Sequence, residues 1–328
     1  MAQITFLEVD AEDQKSVRER FPEAQVFDRV LQGKALVDAC KDAGVVSCFI
    51  HTSFTKEILM KLPQLRLLCT RSVGSDHIDA ETCKKQGITV CNVPDYGSHV
   101  IAEHVFALLL STLRHVTEAD AKVEGGAFDY HGLRGIALRG KTLGIVGTGK
   151  IGRRVAEIAH GFGMKIVAVD QCRTLEIIDR FGVQYVSPDA LLMQSDIITL
   201  HVPDTKETEH MIDAAAFKKM KAGAILVNTA RGSLIDSRAL LGALKTGKIA
   251  YALLDVLEHE QNFTENKELI AHPKVVTTPH IAFYADDSMK NMFSDSFLSI
   301  EQWMAGETPE HVVKPLNVVC DLSGIRKP

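Results

Sequence analysis

Three glycines and four polar side chains hold most of the chemistry visible in this chain. Gly147, Gly149 and Gly152 stand in the segment KTLGIVGTGKIGRRVAEIA with the spacing G-x-G-x-x-G. An apolar run precedes them and an amphipathic stretch follows, so the segment predicts strand, tight turn and helix. In that setting Gly147 permits the turn, Gly149 lets backbone approach a pyrophosphate, and Gly152 lets the helix pack on the strand. The N–H groups at the helix start, with their partial positive charge, then attract phosphate. A second apolar run, KIVAV, ends in Asp170, 18 residues beyond Gly152. A carboxylate there accepts hydrogen bonds from ribose hydroxyls and repels a 2′-phosphate. The pattern predicts NAD in preference to NADP, although Arg173 stands nearby.

A dinucleotide site names a cofactor and not a reaction. Arg231 follows the run AILVNTA, which places a fixed cation at the carboxyl end of a strand, where open α/β sheets bind ligands. Its planar fork suits a carboxylate held by two hydrogen bonds. His280 ends VVTTPH directly after Pro279, and Glu260 closes YALLDVLEHE just past another strand. If the two meet, the carboxylate favours an imidazolium and the pair becomes an acid–base group for neutral pH. Taken singly, each has an ordinary alternative: a surface Arg in a loop ion pair, a structural His, a solvated carboxylate.

Those side chains need a sheet to hold them. Short apolar runs predict strands at 4–9, 45–50, 65–69 and 89–92, then at 142–146, 165–169 and 197–200, and finally at 224–228, 251–255 and 274–277. Many are apolar on successive residues, as parallel strands covered on both faces must be. Helical patterns fall between them. Asp236 is placed to cap a helix over 238–245 with Gly247 at its end, and long helices are expected at 98–116 and 286–304. The class is α/β, with doubly wound parallel sheets.

Length and charge narrow the setting. A chain of 328 residues accommodates two domains. Lys plus Arg total 37 against 42 for Asp plus Glu, a net charge of −5, so no basic excess exists for nucleic acid. The most apolar helical stretch, 101–113, contains Glu103 and His104 and falls short of the ~20 residues a bilayer needs. No membrane association is expected. The start MAQITFLEVDAED shows no basic region ahead of an apolar one, which predicts a cytoplasmic protein. Seven cysteines form no CxxC pair, so neither a disulfide framework nor a metal site is expected, and those in apolar runs should behave as small buried hydrophobes.

In order along the chain, TRSVGSDHID, NVPDYGSHVIAEH, VGTGKIG, LHVPDTKETEHMI, NTARGSLID, LLDVLEHE and TPHIAFY resemble the D-2-hydroxyacid dehydrogenase family. Within it they are most similar to the D-lactate dehydrogenase branch. The resemblance implies a Rossmann-type NAD domain, 99–284, inserted into a flavodoxin-like substrate domain formed by 1–98 and 285–328. It implies a small 2-oxoacid or D-2-hydroxyacid substrate bound in the cleft, and a homodimer. The Arg of the family's N-x-A-R-G motif falls on Arg231, the Glu after the D-V Asp on Glu260, and the His of T-P-H on His280. In the family these three bind the substrate carboxylate, orient the His, and move the proton. The R-S-V-G turn implicates Val73 and Gly74 in holding that carboxylate, with Tyr96 and Phe283 beside the substrate. Cofactor contacts carried over are Lys150, Ile151, Asp170, Val202, Pro203, Thr208, Thr229, Ala230, Arg231 and Asp255. The family often has a Pro shortly after the Glu, whereas HEQNFTEN stands here, so this loop is expected to differ in shape. The expected reaction is reduction of pyruvate to D-lactate. A glyoxylate or hydroxypyruvate reductase is the alternative among enzymes, and an NAD-sensing corepressor-like binding protein the alternative outside them.

Overall fold

The computed structural model describes residues 2–260 and 262–313. Among them the chain divides into two compact units, one made of 2–97 with 285–313 and the other of 98–284. In the first unit β1 (Gln3–Phe6), β2 (Gln25–Val26), β3 (Ala43–Cys48), β4 (Leu67–Thr70) and β5 (Thr89–Cys91) form a five-stranded sheet. Its order is β2-β1-β3-β4-β5 and every pair is parallel, the flavodoxin-like arrangement. Every residue of β3 and β4 is buried, which is why their sequences are apolar almost without a break.

One face of this sheet packs on a cluster that includes Leu36, Val46, Phe54, Leu59 and Leu68. The other receives the helix Asp286–Met304, which returns late in the sequence to pack against β4. Phe297 of that helix meets Phe6 and Phe21 edge-on, with ring centroids 5.9 and 5.3 Å away. Arg71, just past β4, is fully buried. Its guanidinium donates to the Ser47 hydroxyl (3.0 Å) and to the carbonyls of Leu7 (2.6 Å) and Glu8 (2.7 Å), and it lies 5.0 Å above the Phe293 ring. A buried cation is tolerated only with such partners. Here it ties together the carboxyl ends of β1, β3 and β4.

The second unit carries β6 (Thr142–Val146), β7 (Lys165–Val169), β8 (Gln184–Tyr185), β9 (Ile197–Leu200), β10 (Ala224–Asn228), β11 (Ile249–Leu254) and β12 (Val275–Thr277). They form one parallel sheet in the order β12-β11-β10-β9-β6-β7-β8, a Rossmann order with an added strand. Alternate residues feed opposite cores. Ile225 and Val227 join the cluster beneath the helices Ser98–Leu113 and Lys150–Gly161, while Ala224 and Leu226 join the cluster on the other face. Because all seven strands are parallel, their carboxyl ends share one edge. The segments after β6, β7, β9, β10, β11 and β12 hold Gly147, Asp170, Val202, Arg231, Asp255 and His280 respectively.

The structure corrects several expectations. The edge strands β2 and β8 were not expected, since two residues are too few to show a period. The helix expected at 98–116 stops at Leu113; His115 takes a left-handed conformation (φ 53) and a second helix, Val116–Glu124, leaves at 53°. The Asp236 cap forms as expected, its side chain accepting from the N–H groups of Arg238 and Ala239 at 3.0 Å. Cys40, Cys48, Cys69, Cys83 and Cys91 are buried free thiols. Among the described residues no single helix is long and apolar enough to cross a membrane.

Candidate active site

The three glycines of the turn after β6 serve different masters. Gly147 is left-handed (φ +94), and a Cβ on it would lie 2.6 Å from the His201 carbonyl. A Cβ on Gly152 would lie 2.0 Å from the Gly147 carbonyl. Both positions are therefore dictated by the protein's own packing. At Gly149, where the backbone is extended and the helix Lys150–Gly161 begins, nothing lies within 4 Å of an added Cβ. The fold alone does not require glycine there; a ligand passing close to the backbone does. A second observation points the same way. The Thr229 hydroxyl, just past β10, is buried and has no hydrogen-bond partner among the described residues, a state that buried polar groups seldom keep once their ligands are bound. The residues present thus fit a dinucleotide lying across the carboxyl edge of the sheet.

Asp170 is folded onto the glycine turn. Its Oδ2 accepts from the N–H (2.5 Å) and hydroxyl (3.1 Å) of Thr148, and its Oδ1 from Cys172 N–H (2.8 Å). The Tyr185 hydroxyl bridges Thr148 and the Thr174 N–H, and Arg173 lies over the Tyr185 ring. Lys150 and Ile151 open the helix. Thr208 closes the loop after β9, donating its hydroxyl to the Pro203 carbonyl (2.7 Å), with Val202 half-buried behind. His201, under the glycine turn, is held neutral, burial pulling its imidazole down to about 3.

Arg231 follows a turn clamped by Asn228, whose side chain accepts from Ala230 N–H (3.0 Å) and donates to the Arg231 carbonyl (2.7 Å). Gly232 next to it lies against the backbone of Leu257 and Glu258, where a Cβ would come within 2.0 Å. That contact ties the Arg231 turn to the loop carrying Glu260. The same loop is fastened by the Glu258 carboxylate, which accepts from His210 (2.6 Å) and from Ser237 N–H (3.3 Å), and by Asn266, which donates to the Glu258 carbonyl (2.7 Å).

Glu260 and His280, 20 residues apart in sequence, meet: Nδ1 of His280 donates to Oε2 of Glu260 at 3.1 Å. His280 has a left-handed backbone (φ 56), a conformation uncommon outside glycine. Asp255 imposes it. The Asp255 carbonyl accepts the His280 N–H (2.9 Å), while its carboxylate accepts the N–H groups of Ile281 and Ala282, both at 2.9 Å, and the Thr278 hydroxyl. Burial would push this carboxyl up. The bonds from His104, Thr278, Ala282 and Ile281 outweigh it and hold the group below its usual value. Asp255 is 1% exposed and builds the turn that carries His280. Phe283 stands edge-on to His280 at 6.4 Å.

His104, in the helix Ser98–Leu113, was missed as a site residue. Its Nε2 lies 3.1 Å from the Thr278 hydroxyl and 3.5 Å from Asp255 Oδ1. The available signal was a polar pair, Glu103–His104, inside an otherwise apolar helix. In the first unit the turn after β4 exposes Val73 and leaves Gly74 half-buried. Asn92 donates to the Val73 carbonyl (2.7 Å) and the Ser72 hydroxyl to the Gly74 carbonyl (2.6 Å), so the turn is held from both sides. Tyr96 is buried, and Asn291 donates to its carbonyl at 3.5 Å.

Residues 106–282 match the family described as "D-isomer specific 2-hydroxyacid dehydrogenase, NAD binding domain". A glyoxylate reductase of Thermococcus litoralis is 40% identical over 285 residues, covering 85% of this chain and 86% of the relative. A D-lactate dehydrogenase from Aquifex aeolicus, solved with NAD and lactic acid, superposes with a TM-score of 0.86 at 35% identity, covering 93% of this chain and 96% of its own. The D-lactate dehydrogenase of Escherichia coli superposes with a TM-score of 0.85 at 31% identity, covering 95% and 100%. The chain belongs to the D-2-hydroxyacid dehydrogenase family and is an NAD-dependent oxidoreductase.

Proposed function

We propose that this enzyme is a D-lactate dehydrogenase that reduces pyruvate to D-lactate, with 99–284 as the NAD domain inserted into the substrate domain, as the family resemblance implies. NADH bound along the glycine turn supplies the hydride. His280, as imidazolium, gives its proton to the substrate oxygen as charge develops there, and takes it back in the oxidative direction. Glu260 keeps the ring oriented through Nδ1, so that Nε2 serves the substrate. Arg231 binds the carboxylate and stabilises the negative oxygen; the family resemblance assigns the backbone at Val73 and Gly74 to the same carboxylate. The family resemblance assigns Tyr96 and Phe283 to the substrate, whose methyl group suits an aromatic face. Two further parts of the proposal, a homodimer and a cytoplasmic setting, come from the family resemblance and the composition.

The observation that carries this reading is the 3.1 Å His280–Glu260 bond with the Phe283 ring edge-on to the same imidazole: an acid–base pair beside an apolar wall. The solved D-lactate dehydrogenases lend it support through their shared fold. A second reading, glyoxylate reductase, is favoured by the names of several similar sequences at 36–40% identity. NADH oxidation with pyruvate, glyoxylate and hydroxypyruvate, followed by chiral analysis of the lactate formed, separates the two. D-lactate as product with pyruvate preferred is the expected result. L-lactate, or brisk glyoxylate reduction beside inert pyruvate, overturns it.

A further inference from the structure

Glu8 is the anomaly of the first unit. It stands two residues past β1 and has a left-handed backbone (φ 55), where a non-glycine residue is strained. Two sets of bonds hold it there. Arg71, fully buried, donates to its carbonyl and to that of Leu7. Its carboxylate accepts three backbone N–H groups from the segment after β3: Phe49 (3.1 Å) and Thr52 (3.2 Å) on Oε2, and His51 (3.1 Å) on Oε1.

Three convergent backbone donors form a concavity of the kind that binds anions. A guanidinium lies beneath it, bonded to main-chain carbonyls and the Ser47 hydroxyl. Left open, this corner would attract a phosphate or a carboxylate. The protein closes it with a carboxylate of its own. The location gives that closure a consequence. β1, β3 and β4 are adjacent and parallel, so the Glu8 corner and the Val73–Gly74 turn share the carboxyl edge of one sheet.

We propose that Glu8 is a specificity-determining residue. By filling the N–H nest after β3 it bars 2-oxoacids that bear a second anionic group and leaves those with short uncharged tails. The inference rests on the assignment of Val73 and Gly74 to the substrate carboxylate. It holds whether the preferred uncharged substrate is pyruvate, glyoxylate or hydroxypyruvate. Discrimination of this kind comes from a built-in repulsive element as much as from new contacts.

The test measures kcat/KM of the full-length wild type, Glu8→Ala and Glu8→Gln with two substrate groups. Pyruvate, glyoxylate and hydroxypyruvate have uncharged tails; oxaloacetate and 3-phosphohydroxypyruvate have anionic ones. The quantity read is the ratio of the best anionic-tail substrate to whichever uncharged-tail substrate the wild type reduces best. Glu8→Ala opens the nest and should raise this ratio at least about tenfold. Glu8→Gln keeps an acceptor but removes the charge, and should raise it at least about threefold. A residue that merely holds the loop would lower both groups together and leave the ratio in place. A rise below threefold in Glu8→Gln overturns the inference, and that variant decides alone if Glu8→Ala does not fold. A wild type that reduces both groups equally well also overturns it. Failure of the D-lactate reading shows separately, as glyoxylate or hydroxypyruvate in place of pyruvate as the reference substrate.

Discussion

Substituting alanine at Gly149 and at Gly152 separates what the glycine turn does for the cofactor from what it does for the fold. At 149 the backbone is extended (φ −63, ψ −163) and an added methyl meets nothing within 4 Å. Gly149→Ala should therefore leave the cofactor-free protein as stable as the wild type, or more stable by about 0.4–1 kcal/mol through lower entropy of the unfolded chain. At 152 the same methyl lies 2.0 Å from the Gly147 carbonyl. Ordinary contact is well over 1 Å longer, so the helix Lys150–Gly161 or the turn must shift. Overpacking of that kind costs about 1–3 kcal/mol, roughly 2–4 °C in Tm per kcal/mol for a unit of 150–250 residues. Cofactor binding should show the reverse emphasis. The methyl at 149 occupies the approach of the pyrophosphate and should weaken NADH at least tenfold, about 1.4 kcal/mol. Thermal unfolding with and without NADH reads both effects, because a ligand at 100 times its Kd adds about 2.7 kcal/mol to stability. Gly149→Ala should keep the apo Tm and lose much of the NADH-induced rise; Gly152→Ala should start lower. An undiminished NADH shift in Gly149→Ala, or a wild-type apo Tm in Gly152→Ala, would refute the division of labour.

Three further outcomes are expected. His280→Gln should lower turnover by roughly 10²–10⁴-fold while NADH still binds; near wild-type kcat with a good substrate would exclude it as proton donor. Asp170→Ser should narrow the preference for NADH over NADPH, expected to be at least about tenfold in the wild type, and equal use of both cofactors by the wild type would contradict the role given to Asp170. His201, held near 3 in the folded state against about 6.5 unfolded, stabilises fully above pH 6.5 and progressively less as pH falls toward 3. His201→Gln should therefore lose stability less steeply than the wild type between pH 6.5 and 4 in urea titrations; parallel curves would refute it.

Where a residue's role depends on its near neighbours in sequence, the sequence was sufficient. The strand–GTGKIG–helix unit was legible because turn, strand period and helix period all lie within about twenty residues. The parallel class was legible because strands buried on both faces must be apolar throughout, as β3 and β10 are. Arg231, Glu260 and His280 stood out by their places just past strand ends and by the family motifs around them. Tertiary structure decided the rest. Nothing local to Asp255 announces that its carboxylate builds the His280 turn, since its partners are Thr278, Ile281, Ala282 and, from a helix some 150 residues earlier, His104. Nothing near Glu8 announces that it closes a nest at 49–52. The strands β2 and β8 carry no period because they are two residues long, and form only because a neighbouring edge offers them a partner. Periodicity records which face of an element is buried. It does not record which distant donor a buried carboxylate will find, because that is set by strand order and by the packing of elements far apart along the chain.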